Sequence, residues 1–203
     1  MNPYHLEQDE KQFDQEAVRR LSSFTESKPR FHSSSTNATL KIACSDTFTE
    51  VTEIIFPEHC NSLGITFGGT ILKYMEFAAQ ISANRLCRTD ILIVSIDSVS
   101  FLHPSRQGDI LSIKAIVSST FRHSIEVYCT VERISNTGDS IVTNDGWITL
   151  VSVGENGDPI PVPQIIPQSK LEKERHGFAI ERKEKRLQDK SAIQEYLKND
   201  EIF

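Results

Sequence analysis

Between Asp109 and Val153 the chain alternates hydrophobic and polar residues with the two-residue period of strands that face a core on one side. Asp109–Ser119 sets Leu111, Ile113, Ala115 and Val117 against Ser112 and Lys114. Ser124–Arg133 sets Ile125, Val127, Cys129 and Val131 against Glu126, Tyr128, Thr130 and Glu132. Ile141–Val153 continues the set, and Ile91–Leu102 begins apolar before it alternates. Thr47–Phe56 is a shorter β-like run stopped by Pro57. Breaker residues mark the turns: Pro104 and Gly108 within His103–Gly108, Asn136 and Gly138 within Ser135–Ser140.

One segment has a different rhythm. Thr70–Leu86 carries Ile71, Leu72, Met75, Phe77, Ala78, Ala79 and Ile81, which surround a helix instead of forming one stripe. Such a helix is expected to be buried nearly all round. Alternating strands imply an antiparallel sheet with one face on the core. The pattern as a whole predicts an α+β fold, a curved antiparallel sheet of about five strands wrapped around one central helix. A single helix cannot cover five strands, so edge pairing between two copies is expected.

Residues 1–42 are polar and mixed in charge, with a helix expected near Gln8–Phe24 and a Ser/Thr-rich linker at His32–Thr39. Residues 43–155 hold nearly all the periodic apolar signal. Residues 156–203 form a Pro-punctuated arm and then a charge-dense helical stretch, Ser169–Lys198, expected to be solvated. A net charge of -6 and a pI near 5.5 give no bulk attraction for nucleic acid or an anionic membrane. Cys44, Cys60, Cys87 and Cys129 lack metal-ligand spacing and are expected to be reduced, partly buried thiols. The acidic N-terminal stretch has no apolar run of a signal peptide, and no segment reaches the roughly 20 apolar residues of a membrane helix. A cytoplasmic protein without membrane insertion is the expectation.

Two features carry chemistry. Gly68-Gly69 opens the helix, where unpaired N–H groups and a partial positive charge meet a backbone that a ligand can approach closely. Such a place can hold an oxyanion; a plain turn into a helix is the alternative. Glu76 stands between Met75 and Phe77 on a helix nearly free of charge, which favours a cleft carboxylate with a base or nucleophile role. Pairing with Lys73 or Arg85, or simple exposure, is its plainer reading. Seven residues separate Gly69 from Glu76, about 10 Å along a helix axis. One carboxylate cannot reach a carbonyl held at its own helix start, whereas an antiparallel copy of the helix brings a second Glu76 there.

The run Pro57-Glu58-His59-Cys60-Asn61-Ser62-Leu63-Gly64-Ile65-Thr66-Phe67-Gly68-Gly69, followed by Glu76, resembles the hotdog acyl-CoA thioesterases. Their pattern is a loop Asn, a Gly-Gly and an acidic residue on the central helix. The likeness extends over residues 50–170, through Pro104-Ser105-Arg106-Gln107-Gly108-Asp109, Phe121-Arg122-His123-Ser124 and Gly157-Asp158-Pro159-Ile160-Pro161-Val162-Pro163. The resemblance implies hydrolysis of acyl-CoA to a carboxylic acid and CoA, in a homodimer at least, with tetramers or hexamers also in the family. It implies that Glu76 is base or nucleophile, that Asn61 positions substrate or water, and that Gly69 with Gly68 polarises the thioester carbonyl. Arg122 and Ser124 match a shared motif and are candidate substrate contacts. Many members carry Asp where Glu76 stands, which leaves open whether this carboxylate attacks directly or through water. No metal and no cofactor beyond the substrate's own CoA is expected.

Other residues carry plainer expectations. His59 is a structural loop histidine before it is a base; Arg85, Arg88, Arg106 and His123 are surface cations before they are phosphate ligands. Trp147 is expected in packing. Two rival functions remain at this level. A dehydratase or hydratase of acyl thioesters would pair His59 with Glu76. An acyl-CoA-binding module would bind without turnover.

Overall fold

A computed structural model describes residues 39–135 and 137–199. The expected helix near Gln8–Phe24 and nearly all of the His32–Thr39 linker lie outside these residues. The alternating segments become β2 (Thr49–Ile54), β3 (Asp90–Phe101), β4 (Ile110–Thr120), β5 (Ser124–Ile134) and β6 (Ser140–Val153). They form one antiparallel sheet in the order β2-β4-β5-β6-β3. The apolar segment between β2 and β3 is α1 (Gly68–Cys87), which joins the two edge strands and contacts all five.

The core lies between this helix and the inward set of the sheet. Met75, Ala78, Ala79 and Ala83 are fully buried, as are Ile113, Val117, Ile125, Val127, Cys129, Val131, Ile148 and Leu150. Small helix residues facing branched strand residues let the layers approach closely. Gly146 marks the tightest place: a Cβ there would stand 2.8 Å from Val99 Cγ2 and 3.2 Å from Met75 Cε. Burial pushes the Cys87 and Cys129 thiols up to about 12, and burial followed by the charge of Glu172 pushes Cys44 up to about 11. All four cysteines are free thiols, three of them buried, as their spacing suggested.

Burial of α1 is less complete than its composition suggests. Gly69, Lys73, Phe77, Ile81 and Arg85, spaced four apart, form an exposed stripe, with Phe77 47% and Ile81 43% exposed. The sheet covers one side of the helix only, so the remaining apolar residues stay in water within a single copy.

Two stretches gain structure that periodicity did not reveal. β1 (Lys41–Ala43) pairs in parallel with β7 (Gln164–Ile166), which ties the Pro-rich arm to the segment before β2. Val162 and Ile165 of that arm join the main core, so packing continues beyond residue 155. The charge-dense stretch becomes α2 (Lys170–Gly177), with Ser169 and Glu172 forming a capping box, and α3 (Ala179–Asn199). These helices are not simply solvated. They dock on the outer face of the sheet through charge: Arg182 makes two bonds to the fully buried Glu126 and lies 3.6 Å over the Trp147 ring. Arg186 bonds Asp97, and Arg175 lies over Tyr128. The guanidinium groups of Arg175 and Arg182 lie over aromatic rings, and those of Arg182 and Arg186 meet carboxylates, so a charged helix can pack here.

Candidate active site

The loop between β2 and α1 is tied to itself and to the loop before β4. Cys60 bridges Thr66, and Ile65 bridges Arg106. Thr66 N–H donates to the Ser105 carbonyl at 2.9 Å, and Phe67 N–H to the His59 carbonyl at 2.9 Å. Gly64, at φ 69°, makes the reversal that the loop tip requires. Asn61 organises that tip: its Oδ1 accepts from Leu63 N–H at 2.9 Å and Ile65 N–H at 3.2 Å. This Asx-type turn occupies the carboxamide oxygen and fixes the side chain. Asn61 therefore presents its Nδ2, a donor, to anything that approaches.

The helix start is open. Its N-cap is Phe67, whose side chain accepts no hydrogen bond. Thr70 and Ile71 N–H donate to the Phe67 carbonyl, whereas Gly68 and Gly69 N–H have no acceptor among the described residues. Around Gly69 there is nothing within 4 Å of a would-be Cβ. Packing within one copy does not demand glycine there, so the space is free for an outside group. The dipole of a 20-residue helix converges on these two donors.

Glu76 lies two turns further along, seven residues and about 20° from Gly69 in helical projection, hence on the same face. It is half-buried, and Gln80 Nε2 donates to its Oε1 at 3.2 Å. That contact leaves its second oxygen available. One helix face thus holds two unpaired donors and a carboxylate about 10 Å apart. Two antiparallel copies, related by a two-fold axis between these positions, would oppose each carboxylate to the other's donors.

His59 is drawn away from this face. Its Nδ1 accepts from Phe56 N–H at 3.2 Å and lies 3.4 Å from Tyr74 Oη, and its ring stacks edge-on to Phe56 and Tyr74. Tyr74 and Glu76 are two residues, about 200°, apart on the helix. Within one copy His59 and Glu76 do not meet, and His59 serves the loop's structure.

Arg122 and Ser124 lie elsewhere in the same copy. β6 pairs Asn144 with Phe101, beside the helix start, and Val151 with Ser124. Seven residues of strand separate the two places, about 24 Å. Ser124 and His123 are buried, and Arg122 is exposed. None lies beside the helix start of its own copy. Arg85 and Arg88 stand at the far end of α1, while Arg106, exposed and bridged to Ile65, is the arginine that the fold brings to the loop. Sequence reasoning passed over Phe101, whose ring lies 3.3 Å from where a Cβ on Gly68 would stand. Nothing in its local pattern signals this contact, because it comes from strand β3, far along the chain.

Residues 63–138 match the thioesterase superfamily. The chain is 32% identical over 144 residues to an uncharacterized acyl-CoA thioester hydrolase of Bacillus subtilis, covering 70% of this chain and 84% of that one. It is 36% identical over 149 residues to acyl-coenzyme A thioesterase 11 of mouse, of whose length it spans about a quarter. Its fold matches the acyl-CoA hydrolase of Staphylococcus aureus, solved in complex with butyryl coenzyme A. There the TM-score is 0.73 and the identity 27%, over 78% of this chain and 99% of that one. Variants of that enzyme have been solved with an asparagine and, fifteen residues on, an aspartate replaced by alanine. A hexameric acyl-CoA thioesterase matches with a TM-score of 0.71 and 32% identity, over 75% of this chain and 98% of that one. With its five-stranded sheet around one helix, its open helix start and these relatives, the chain belongs to the acyl-CoA thioester hydrolases of the thioesterase superfamily, on the hotdog fold.

Proposed function

We propose that the protein hydrolyses acyl-CoA thioesters at centres that two copies share, with Asn61, Gly68, Gly69 and Glu76 as the working groups. The observation that carries this reading is the helix face on which two unpartnered N–H groups and a half-buried carboxylate stand two turns apart. The thioester carbonyl sits over Gly68 and Gly69. Glu76 of the partner subunit takes a proton from water, whose oxygen bonds to the carbonyl carbon. The negative charge that develops on the carbonyl oxygen is held by the Gly68 and Gly69 N–H groups and Asn61 Nδ2. Collapse breaks the carbon–sulfur bond, and the departing thiolate receives the proton from Glu76. Direct attack by Glu76, through an anhydride that water then cleaves, gives the same products.

Asn61 and Glu76 stand fifteen residues apart, as do the asparagine and aspartate replaced in the Staphylococcus enzyme. That spacing supports both assignments. A dimer satisfies the shared centre and covers the exposed Phe77–Ile81 stripe, and higher assembly follows the hexameric relative. Among the described residues no helix is long and apolar enough to cross a membrane; a cytosolic hydrolase of fatty acyl thioesters is the setting we favour.

Thiol release from a panel of acyl-CoA esters tests the proposal. Glu76→Gln should lower kcat by about 10²–10⁴ and Asn61→Ala by about 10²–10³ without loss of the folded dimer. Wild-type rates in a folded Glu76→Gln protein would remove Glu76 from the mechanism. Addition or loss of water on enoyl or 3-hydroxyacyl thioesters without CoA release would favour the dehydratase reading instead.

A further inference from the structure

The C-terminal helix α3 reaches the helix start through one irregularity of β3. Regular alternation along that strand would put Val99 and Phe101 on the same face as Asp97. Asp97 is on the outer face, where Arg186 of α3 bonds it. Phe101 is on the inner face, where its ring meets Gly68, and Val99 packs against the core. Between them the register changes. Asp97 pairs with Trp147 and Ser100 with Asp145, so Ser98 and Val99 together oppose the single residue Gly146. This is a β-bulge, and its extra residue reverses the facing of every side chain that follows.

The bulge is strained and braced. Ser98 has φ 49°, the left-handed region that a bulge of this kind usually gives to glycine. Such a conformation persists only where its surroundings fix it, and here the residue before it is fixed. The Asp97 carboxylate accepts from Arg186 Nη1 at 2.6 Å, from Ser95 Oγ, and from Thr149 Oγ1 at 3.5 Å. Both side chains of the ion pair are largely buried, so salt screens it little. Gly146, with no Cβ, leaves room for Val99, and Asn144 Nδ2 donates to the Ser100 carbonyl at 3.3 Å just beyond the bulge. Phe101 then ends the strand with its Cε1 and Cζ 3.3 Å from where Gly68 would carry a Cβ. The ring backs the first residue of α1, whose N–H is one of the two proposed oxyanion donors.

We infer that Arg186, Asp97 and Ser98 are positioning residues for the hydrolytic centre: the ion pair holds the bulge, the bulge aims Phe101, and Phe101 seats Gly68 and Gly69. The C-terminal helix thereby acts on the reaction from the far side of the sheet. This role rests on the thioester-hydrolase reading and adds to it a dependence on α3. Oxyanion donors stabilise charge only where they point at it, and a shift of about 1 Å can cost about 10²-fold in rate.

The test measures kcat and KM of the full chain, per folded dimer, on the acyl-CoA ester that the wild type turns over fastest. Arg186→Met should lower kcat at least about tenfold and shift KM by less than about threefold. Arg186→Lys, which keeps a cation for Asp97, should retain at least about a third of wild-type kcat. Ser98→Gly added to Arg186→Met should recover kcat about threefold or more, because glycine enters the left-handed region without strain. Ser98 is exposed, so that change removes no buried side chain. Phe101→Ala alone should lower kcat about tenfold, and Arg186→Met should then cost less than about a further twofold, because its effect passes through the ring. Asp97→Asn, which keeps the packing and removes the charge, replaces Arg186→Met in each comparison if that variant does not fold. Wild-type kcat in Arg186→Met, a loss that Ser98→Gly does not lessen, or losses from Arg186→Met and Phe101→Ala that multiply in full would each overturn the positioning role and leave hydrolysis standing. Thiol release by the wild type from no acyl-CoA ester would instead remove the hydrolytic reading and the positioning role with it.

Discussion

Replacing Arg182 by Met isolates the force that holds the C-terminal helices on the sheet. Glu126 is fully buried on the outer face of β5. Arg182 Nε donates to its Oε2 at 3.0 Å and Nη2 to its Oε1 at 2.7 Å, and Ser118 Oγ adds a bond at 2.8 Å. Arg186 Nη1 stands 3.8 Å from the same carboxylate while bonding Asp97 at 2.6 Å. Removing one partner of a buried pair costs about 3–5 kcal/mol, because the other charge stays out of water. Arg186 and Ser118 remain, which places Arg182→Met at the low end, near 3 kcal/mol, with the cation–π contact over Trp147 included. The loss is capped by the docking free energy of α2 and α3, since lifting them would hydrate Glu126. For a chain of this size about 3 kcal/mol lowers Tm by roughly 6–12 °C. Trp147 is the chain's only tryptophan and lies under Arg182, so its emission in a urea titration at fixed protein concentration reports both docking and unfolding. Glu126→Gln combined with Arg182→Met should recover at least about 1 kcal/mol of the single-variant loss, the signature of coupled partners. A single variant within about 1 kcal/mol of wild type, with unchanged Trp147 emission, would refute the account.

Three further outcomes are expected. Gly69→Ala should keep or raise stability, by up to about 1 kcal/mol of helix propensity, because its Cβ enters open space; thiol release should nevertheless fall at least tenfold, and an unchanged rate would show that no substrate passes there. Gly146→Ala should cost about 1–3 kcal/mol in urea denaturation, since its Cβ would stand 2.8 Å from Val99 Cγ2 and 3.3 Å from the Val99 Cα, which cannot move freely. Glu132 is held below its ordinary 4.5, first by the hydrogen bond from Lys114 Nζ at 2.8 Å and then by that from Ser140 Oγ. A lowered folded value means that this stabilisation is present above the unfolded value and lost as pH falls through the folded one. Lys114→Met should therefore flatten the acid limb of stability below about pH 4.5, by no more than about 1 kcal/mol for a pair this open.

Local pattern determined a great deal here. Period-two alternation placed β4, β5 and β6 to within a residue or two, because an inward residue must be apolar whichever strand lies beside it. The placement of Gly69 and Glu76 was legible for a similar reason: seven residues on any helix fix both a shared face and a separation of about 10 Å. That separation is why the proposed centre calls for a second copy.

What tertiary structure decided are the contacts that no local rhythm encodes. Glu126 looks like an ordinary solvent-facing residue of an alternating strand until Arg182, 56 positions later, lies on it. The parallel pairing of Lys41–Ala43 with Gln164–Ile166 joins stretches with no periodicity of their own. Composition made α1 look buried all round, yet one copy of the sheet covers one side and leaves Phe77 and Ile81 in water. His59 could have faced Glu76 or Tyr74; the turn at Pro57–His59 gave its ring nitrogen to Phe56 N–H and turned it to Tyr74. Periodicity reports which side of an element is apolar. Only the assembled chain decides which distant residue, or which second copy, comes to cover it.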